Sequence, residues 1–192
     1  MLFGPDPVPF HWSRRRGLSK LALPPATTFD PLEISDEGLV LGRAYRFGLG
    51  FPAIWSEVGG LKELPLPLGA LEGGVGSVNS SGQMVGGRSG PDGRVVCVWA
   101  EGKVFTLPTP SGAYASGIDD RGWIVGRDAS EVTVIWTDWN KPPIRMVELV
   151  TPSSRITDRI LYTQSVADHG HVLAFCSVDG GKLLPCLLRA LD

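Results

Sequence analysis

The chain has 192 residues, of which 43% are hydrophobic and 20% are charged, and its formal net charge at pH 7 is −2. This length suits one domain with a packed core, and the near-neutral charge argues against a dedicated nucleic-acid binder, which normally carries a strong basic excess. No segment has the roughly 18 consecutive apolar residues of a membrane helix. The 25 glycines and 16 prolines lie between short apolar runs, so they predict the turns of an all-β protein.

The N-terminal region is typical of the outer part of a β-sheet unit. Two short apolar segments, 10–12 and 18–24, flank the basic run 14–16, which we interpret as a solvated turn. The first seven residues lack the basic region and apolar core of a secretory signal. We therefore expect either a cytoplasmic protein or one whose export segment is outside this sequence, and the localisation stays open.

A glycine-turn motif then recurs four times at intervals of 40 to 48 residues. The turn glycines are Gly38, Gly82, Gly122 and Gly170. A repeat of this length, made of strand and turn residues, predicts the four-stranded antiparallel blades of a β-propeller. We expect each turn glycine to adopt a positive φ, which other residues adopt only with strain.

The residue two positions before each turn glycine carries a short oxygen-bearing side chain. These residues are Asp36, Ser80, Asp120 and Asp168. We interpret them as acceptors for the backbone N–H groups of their own turns, and not as metal ligands, because one carboxylate per unit lacks the local density of a calcium loop.

A large apolar residue marks the third strand of each unit. Trp55, Trp99 and Trp136 hold this position in the first three units, and Leu187 holds it in the last. Sheets that pack face to face need bulky apolar groups at equivalent places. The sequence therefore predicts that these tryptophans are core residues and not a platform for stacking bases or sugars.

The repeat units span about 32–66, 76–108, 116–150 and 164–192, and together they form one domain, 1–192. The last unit lacks a fourth strand, which the N-terminal strand at 16–24 could supply. We therefore predict a small all-β propeller of four blades with four antiparallel strands each, closed by this N-terminal strand in the last blade, because closure removes unpaired sheet edges. Five blades, one of them incomplete, is the alternative.

The motif resembles the HAF-type repeat of bacterial proteins, which is often labelled a probable extracellular repeat. The shared pattern is I-N-x-x-G-x-V-V-G, a strand ending in tryptophan and a leucine-rich strand, and it covers about residues 10–191. The final unit is most similar, at 148–172 and around Cys186. The resemblance implies a propeller-like repeat fold, with no established activity and no catalytic residues. Ser80 and Ala174 depart from the family's pattern.

The three cysteines indicate neither a disulfide framework nor a zinc site, since they are odd in number and lack CxxC spacing. Cys97 and Cys186 lie in apolar strand contexts. We expect buried free thiols, with a Cys176–Cys186 bridge across a hairpin as the alternative.

One local group resembles a metal site. Asp168, His169 and His171 flank the last turn glycine, and two histidines spaced by one residue on a strand point to the same side. Other repeats hold unrelated residues at the histidine positions, so solvated turn residues are the competing interpretation. The sequence contains no G-x-S-x-G, P-loop, H-E-x-x-H or dinucleotide motif.

Three arginines follow the motif's second glycine and form a candidate anion-binding ring: Arg43, Arg88 and Arg127. Arg88 stands six residues after its turn glycine and the other two stand five. A shift of one residue reverses the face of a strand side chain, so the ring is expected to be imperfect. Surface charges packed along the blade are the competing interpretation.

These observations favour a non-catalytic binding or interaction module that presents one propeller face or channel mouth to its partner. We expect a monomer without a cofactor, whose partner is a protein or a small anionic or carbohydrate ligand, and neither nucleic acid nor a membrane. The alternative is a metal-dependent hydrolase or lyase using Asp168, His169 and His171, with an acidic residue such as Asp119 across the channel. A structural segment of a larger surface protein is a third hypothesis.

Overall fold

The computed structural model describes residues 8–151, 156–167, 170–179 and 181–189. In these ranges the chain is all-β, apart from a short 3-10 turn at Met146–Leu149. No helix within them has the length and apolarity needed to cross a membrane. The predicted all-β, propeller-like class is confirmed.

The strands form one hairpin and four antiparallel meanders in chain order. The N-terminal hairpin comprises β1 (Phe10–Ser13) and β2 (Gly17–Lys20). Sheet 1 comprises β3 (Thr28–Ile34), β4 (Val40–Arg46), β5 (Leu49–Ser56) and β6 (Gly60–Glu63). Sheet 2 comprises β7 (Glu72–Val78), β8 (Met84–Gly90), β9 (Gly93–Ala100) and β10 (Lys103–Thr106). Sheet 3 comprises β11 (Tyr114–Ile118), β12 (Ile124–Arg127), β13 (Thr133–Trp136) and β14 (Ile144–Arg145), and sheet 4 comprises β15 (Ile156–Ala167), β16 (His171–Val178) and β17 (Lys182–Leu188).

The turn glycines have the predicted backbone conformation. Gly38, Gly82, Gly122 and Gly170 have φ values of 79°, 75°, 79° and 72°. In the first three repeats the glycine N–H donates to the carbonyl three residues earlier, over 2.9, 3.0 and 2.9 Å. The same local turn thus links the first two strands of sheets 1, 2 and 3.

The side chain that completes each turn stands one residue earlier than predicted. Ser35, Asn79 and Asp119 accept a hydrogen bond from the backbone N–H four residues later, at 3.3, 2.9 and 2.8 Å. Asp120, predicted to serve its own turn, instead accepts from the Ser80 N–H of the neighbouring sheet at 2.8 Å. The predicted role of Asp120 is therefore wrong: its carboxylate joins two sheets. Asp168 lies outside the described residues.

The motif's second glycine has a packing role. A Cβ at Gly42, Gly86 or Gly126 would overlap a backbone carbonyl oxygen of the first strand in its own sheet. In all three sheets the register between the first and second strands shifts at this place, which is typical of a β-bulge. Because the bulge brings the first strand close to the second, only a residue without a side chain fits.

The core consists of layers between successive sheets. One apolar cluster lies between sheet 1 and the segment that follows the N-terminal hairpin, and one lies in each gap between sheets 1 and 2, 2 and 3, and 3 and 4. Trp55, Trp99 and Trp136 expose 5%, 2% and 0% of their surface, so the prediction that they are core residues is confirmed.

The predicted ring closure does not occur among the described residues. Strand β2 pairs with β1 and not with sheet 4, which has three strands. The segment that directly follows the hairpin packs on sheet 1, where Leu21 is buried and Trp55 Nε1 donates to the Ala22 carbonyl at 3.2 Å. Closing a short hairpin loop costs less conformational entropy than pairing strands from opposite ends of the chain. The prediction of ring closure did not take this difference into account.

The cysteines differ from the preferred expectation of free thiols. Cys176 and Cys186 form a disulfide between β16 and β17, with their Cα atoms 6.0 Å apart. Cys186 lies opposite Ala174 and Cys176 opposite Leu184, so the two cysteines are diagonal neighbours on one face of the hairpin. The alternative bridge is thus the one formed, and Cys97 is a buried free thiol.

Candidate ligand-binding sites

The first strands of the four sheets surround a shared central cleft. Strand β3 lies beside β7, β7 beside β11, and β11 beside β15. Their C-terminal ends and the following turns line a cavity of about 370 Å³, which we call the turn-side pocket. Its lining residues are Glu33, Ile34, Ser35, Asp36, Glu37, Ser77, Val78, Asn79, Ser80, Ser116, Gly117, Ile118, Asp120, Val166 and Ala167.

The turn-side pocket is rich in hydrogen-bond acceptors and negative charge. Its described carboxylates are Glu33, Asp36, Glu37 and Asp120, and none of the described lining residues is Lys, Arg or His. The Glu33 carboxylate accepts from the Val78 N–H at 3.2 Å, which ties sheet 1 to sheet 2. The exposed carboxylates of Asp36 and Glu37 lie at the rim. This field repels anions and favours ligands that donate hydrogen bonds or carry positive charge.

The opposite ends of three of these strands, β3, β7 and β11, line a second cavity of about 230 Å³ together with residues of β4, β8 and β9, and we call it the arginine–tyrosine pocket. It is lined by Asp30, Leu32, Arg43, Tyr45, Gly74, Val75, Gly76, Gly86, Gly87, Arg94, Tyr114 and Ala115. Along β3, β7 and β11, the residues lining this pocket precede those lining the turn-side pocket. The two pockets thus lie at opposite ends of one cleft and differ in charge.

The structure separates the three predicted arginines. Arg43 lines the arginine–tyrosine pocket, and the guanidinium carbon of Arg127 lies 5.8 Å from the centre of the Tyr114 ring. Arg127 also forms an ion pair with Glu131. Two of the three arginines, Arg43 and Arg127, therefore lie near the same end of the cleft.

Arg88 does not point toward the cleft, so the predicted anion-binding ring of Arg43, Arg88 and Arg127 is wrong. Arg88 occupies the repeat position of Ala44, a fully buried core residue, and it is itself 8% exposed. Its guanidinium pairs with Asp92, with one of the two hydrogen bonds at 2.6 Å. This hydrogen bond raises the pKa of Arg88 and lowers that of Asp92. Arg88 points away from the other two arginines because it stands one residue later in its strand, and successive side chains of a strand point to opposite faces.

Arg94 is the functional candidate that sequence reasoning missed. It lies on β9, and its guanidinium carbon stands 4.8 Å from the centre of the Tyr114 ring. Gly87 takes the repeat position held elsewhere by Arg43 and Arg127, and a Cβ there would lie 3.6 Å from Arg94 Nε. Arg94 thus occupies space that Gly87 leaves free. The sequence does contain a signal for Arg94: in the second repeat the arginine position is occupied by Gly87, and an arginine follows seven residues later.

The predicted metal group is only partly described. Asp168 and His169 lie outside the described residues, while His171 begins β16, is half-buried and pairs with Ala167. Among the described residues, no group of three or more His, Cys, Asp or Glu side chains could hold a metal ion. A Cβ on Gly170 would overlap the Arg121 guanidinium, which places that cation against the last repeat turn.

Asp119 does not face across the cleft as the enzyme alternative requires. Its side chain is fully buried, and Oδ1 accepts the backbone N–H groups of Arg121 and Trp123 at 3.0 and 2.8 Å. Oδ2 accepts from Nε and Nη2 of Arg121 at 3.0 and 2.9 Å. Because both oxygens are occupied within its own turn, Asp119 serves the fold and is unsuited to acid–base chemistry.

Cys97 offers no nucleophile to either pocket. It is buried between sheets 1 and 2, and burial raises the pKa of its thiol to about 12. Reactivity requires the thiolate, which is therefore scarce at neutral pH. Cys97 is a core residue.

Comparison with known proteins supports the fold and no specific activity. No protein-family model matches the chain, and no curated protein matches it. A solved structure described as "Streptogramin B lyase structure" is similar over 92% of this chain, with a TM-score of 0.56 and 14% sequence identity. The chain spans 60% of the length of that structure, which is a β-propeller. At this identity the likeness concerns the fold alone: the chain has a β-propeller-like, all-β architecture.

Proposed function

We propose that the chain is a non-catalytic binding module and that its turn-side pocket holds a carbohydrate. The observation that carries this proposal is that all four sheets contribute the end of their first strand to a single cavity. Its volume of about 370 Å³ falls in the range of small-ligand pockets. A pocket lined by four sheets can present several chain segments to one ligand, which suits a binding module.

The chemistry of the lining supports the choice of ligand class. Carboxylates and hydroxyl groups match the O–H donors and acceptors of a sugar. The four carboxylates, with no cation among the described lining residues, disfavour the small anion that was the other expected small ligand. A sugar that carries an ammonium group gains further attraction from the rim carboxylates Asp36 and Glu37.

Glucosamine, glucose and glucuronate test this proposal, because they share one ring form and differ in charge. At neutral pH and low ionic strength, we expect affinity to fall in the order glucosamine, glucose, glucuronate, measured by NMR titration. The Asp36→Asn/Glu37→Gln variant should weaken glucosamine binding by up to about fivefold per carboxylate, the scale of an exposed charge pair. Its effect on glucose should be smaller.

Glu148→Gln is the matched control, since Glu148 is an exposed carboxylate that lines neither pocket. It should leave all three affinities unchanged. Glucuronate binding as tightly as glucosamine, or no saturable binding of any of the three sugars, would reject the carbohydrate proposal.

A metal-dependent hydrolase or lyase is the second candidate, and one observation favours it. Val166 and Ala167 line the turn-side pocket and lead directly into the segment of Asp168 and His169. Ala167, the residue before Asp168 in the sequence, therefore lies beside a ligand-sized cavity.

Elemental analysis of the purified protein separates the two candidates. For a binding module we expect no stoichiometric zinc, nickel or iron, and an unchanged glucosamine affinity in a His169→Ala/His171→Ala variant. A stoichiometric metal that is present in the wild type and lost in this variant would favour the enzyme instead.

A further inference from the structure

We propose that the arginine–tyrosine pocket is a phosphate-binding site in which Arg43 of sheet 1 and Arg94 of sheet 2 hold the anion. This site goes beyond the proposed carbohydrate function, because it lies at the other end of the cleft and the described lining residues of the two pockets do not overlap. The ligand class is a free phosphate or a small phosphate monoester.

Two glycines bring the guanidinium groups together. Gly74 and Gly87 lie directly opposite each other on β7 and β8. Cβ positions of such partners are about 4.5–5.5 Å apart on the same face. Arg43 Nε lies 3.1 Å from the Cβ position of Gly74, and Arg94 Nε lies 3.6 Å from that of Gly87. The guanidinium groups of Arg43 and Arg94 therefore lie next to two neighbouring glycines of sheet 2, in space that a side chain at either position would fill.

The electrostatics of this pair differ from those of the other arginines. Five arginines of the described ranges form ion pairs with a carboxylate: Arg16, Arg46, Arg88, Arg121 and Arg127. Arg43 and Arg94 have no carboxylate within 4.0 Å among the described residues. One carboxylate, Asp30, lines the same cavity, so the formal charge of the described lining residues is +1. Two neighbouring unpaired guanidinium groups repel each other, and a dianion between them removes this repulsion.

Tyrosine rings orient both cations. The guanidinium carbon of Arg43 lies 6.0 Å from the centre of the Tyr45 ring, and that of Arg94 lies 4.8 Å from the centre of the Tyr114 ring. A guanidinium over an aromatic ring keeps its N–H edge available for a bidentate contact with an oxyanion. In the described part of the chain, neither side chain donates a hydrogen bond to the protein. The donors are thus positioned and unused, as a preorganised phosphate site requires.

Titration with inorganic phosphate at pH 7.5 and low ionic strength, followed by NMR and calorimetry, tests the site. We expect saturable binding of one equivalent, weaker at high salt because screening reduces the attraction. Arg43→Gln and Arg94→Gln should each lower the affinity roughly tenfold or more, since a hydrogen bond to a charged group is worth at least one decade in Kd. Thermal unfolding of each variant checks that it folds.

Arg15→Gln is the control, because it removes the same charge from the exposed turn of the N-terminal hairpin. It should leave phosphate affinity unchanged. Acetate should bind at least tenfold more weakly than phosphate, as it carries one negative charge. Glycerol 2-phosphate distinguishes the source of the anion: tighter binding than that of inorganic phosphate indicates a monoester, and the reverse indicates the free ion.

Three results would overturn the site: no saturable phosphate binding, an equal loss in Arg15→Gln, or acetate binding as tightly as phosphate. The Asp36→Asn/Glu37→Gln variant should retain phosphate affinity. A failure of the carbohydrate proposal is therefore distinguishable from a failure of this one.

Discussion

Replacement of Gly126 by Ala is expected to lower the free energy of unfolding by at least about 3 kcal/mol, the upper end of the cost of overpacking. The added Cβ would overlap the carbonyl oxygen of Tyr114, and the nearest atoms belong to the backbone of β11. A flexible side chain could move aside, whereas this backbone is held by the bulge at Ala115 and Gly117. Urea denaturation of the purified variant measures the change.

Gly76→Ala is the matched control for this substitution. Gly76 lies on β7, has an ordinary φ, and a Cβ there would meet its nearest atom, on Leu32, at 4.0 Å. We expect a change within about 1 kcal/mol, in the stabilising direction, because alanine restricts the unfolded chain more than glycine does. Equal denaturation midpoints for Gly126→Ala and Gly76→Ala would show that the bulge contact is unimportant.

The fourth copy of the motif shows how a side chain can be accepted at this position. Ala174 takes the place of the glycine and is fully buried opposite Thr163. In sheet 4 the register shifts on both sides of Thr163, whereas sheet 3 has a single shift. The departure from the repeat at Ala174 therefore accompanies a different bulge in β15.

Trp136→Ala is expected to cost about 3–5 kcal/mol, as measured by urea denaturation, because it empties a fully buried site between sheets 2 and 3. Trp12→Ala, at a position that is 67% exposed, should cost less than about 1 kcal/mol. A similar cost for both variants would contradict the layered core.

The indole nitrogens give this second prediction a finer test. Trp99 Nε1 donates to the Pro65 carbonyl at 2.7 Å, whereas Trp136 Nε1 is buried without a hydrogen-bond partner among the described residues. Trp99→Phe removes a hydrogen bond, and Trp136→Phe removes an unsatisfied donor. We therefore expect Trp99→Phe to cost roughly 1 kcal/mol more than Trp136→Phe.

The four-strand pattern of sheets 1 to 3 was predictable because it depends on local turns. Gly38, Gly82 and Gly122 need a positive φ, and the surrounding turn closes through hydrogen bonds within five residues. Such interactions follow from adjacent residues, so spacing along the chain was enough to find them. The buried tryptophans followed from the same repeat.

The closure and the disulfide were less predictable, for different reasons. Closure concerned the pairing of opposite chain ends, where the competing hairpin of β1 and β2 forms over a short loop. The Cys176–Cys186 bridge required the register of β16 and β17, because a slip of one residue places the two sulfurs on opposite faces.

The sequence by itself determined the turn glycines, the order of strands within the first three repeats and the three tryptophans that fill layers between sheets, whereas Leu187, at the equivalent place of the last repeat, is 53% exposed. Tertiary structure alone decided which polar side chains of different sheets meet. Arg43, Arg94 and Tyr114 belong to three different sheets, and their meeting depends on how those sheets pack around the cleft. Local chain geometry specifies each turn, but the arrangement of side chains at the ends of the cleft results from interactions between residues far apart in the chain.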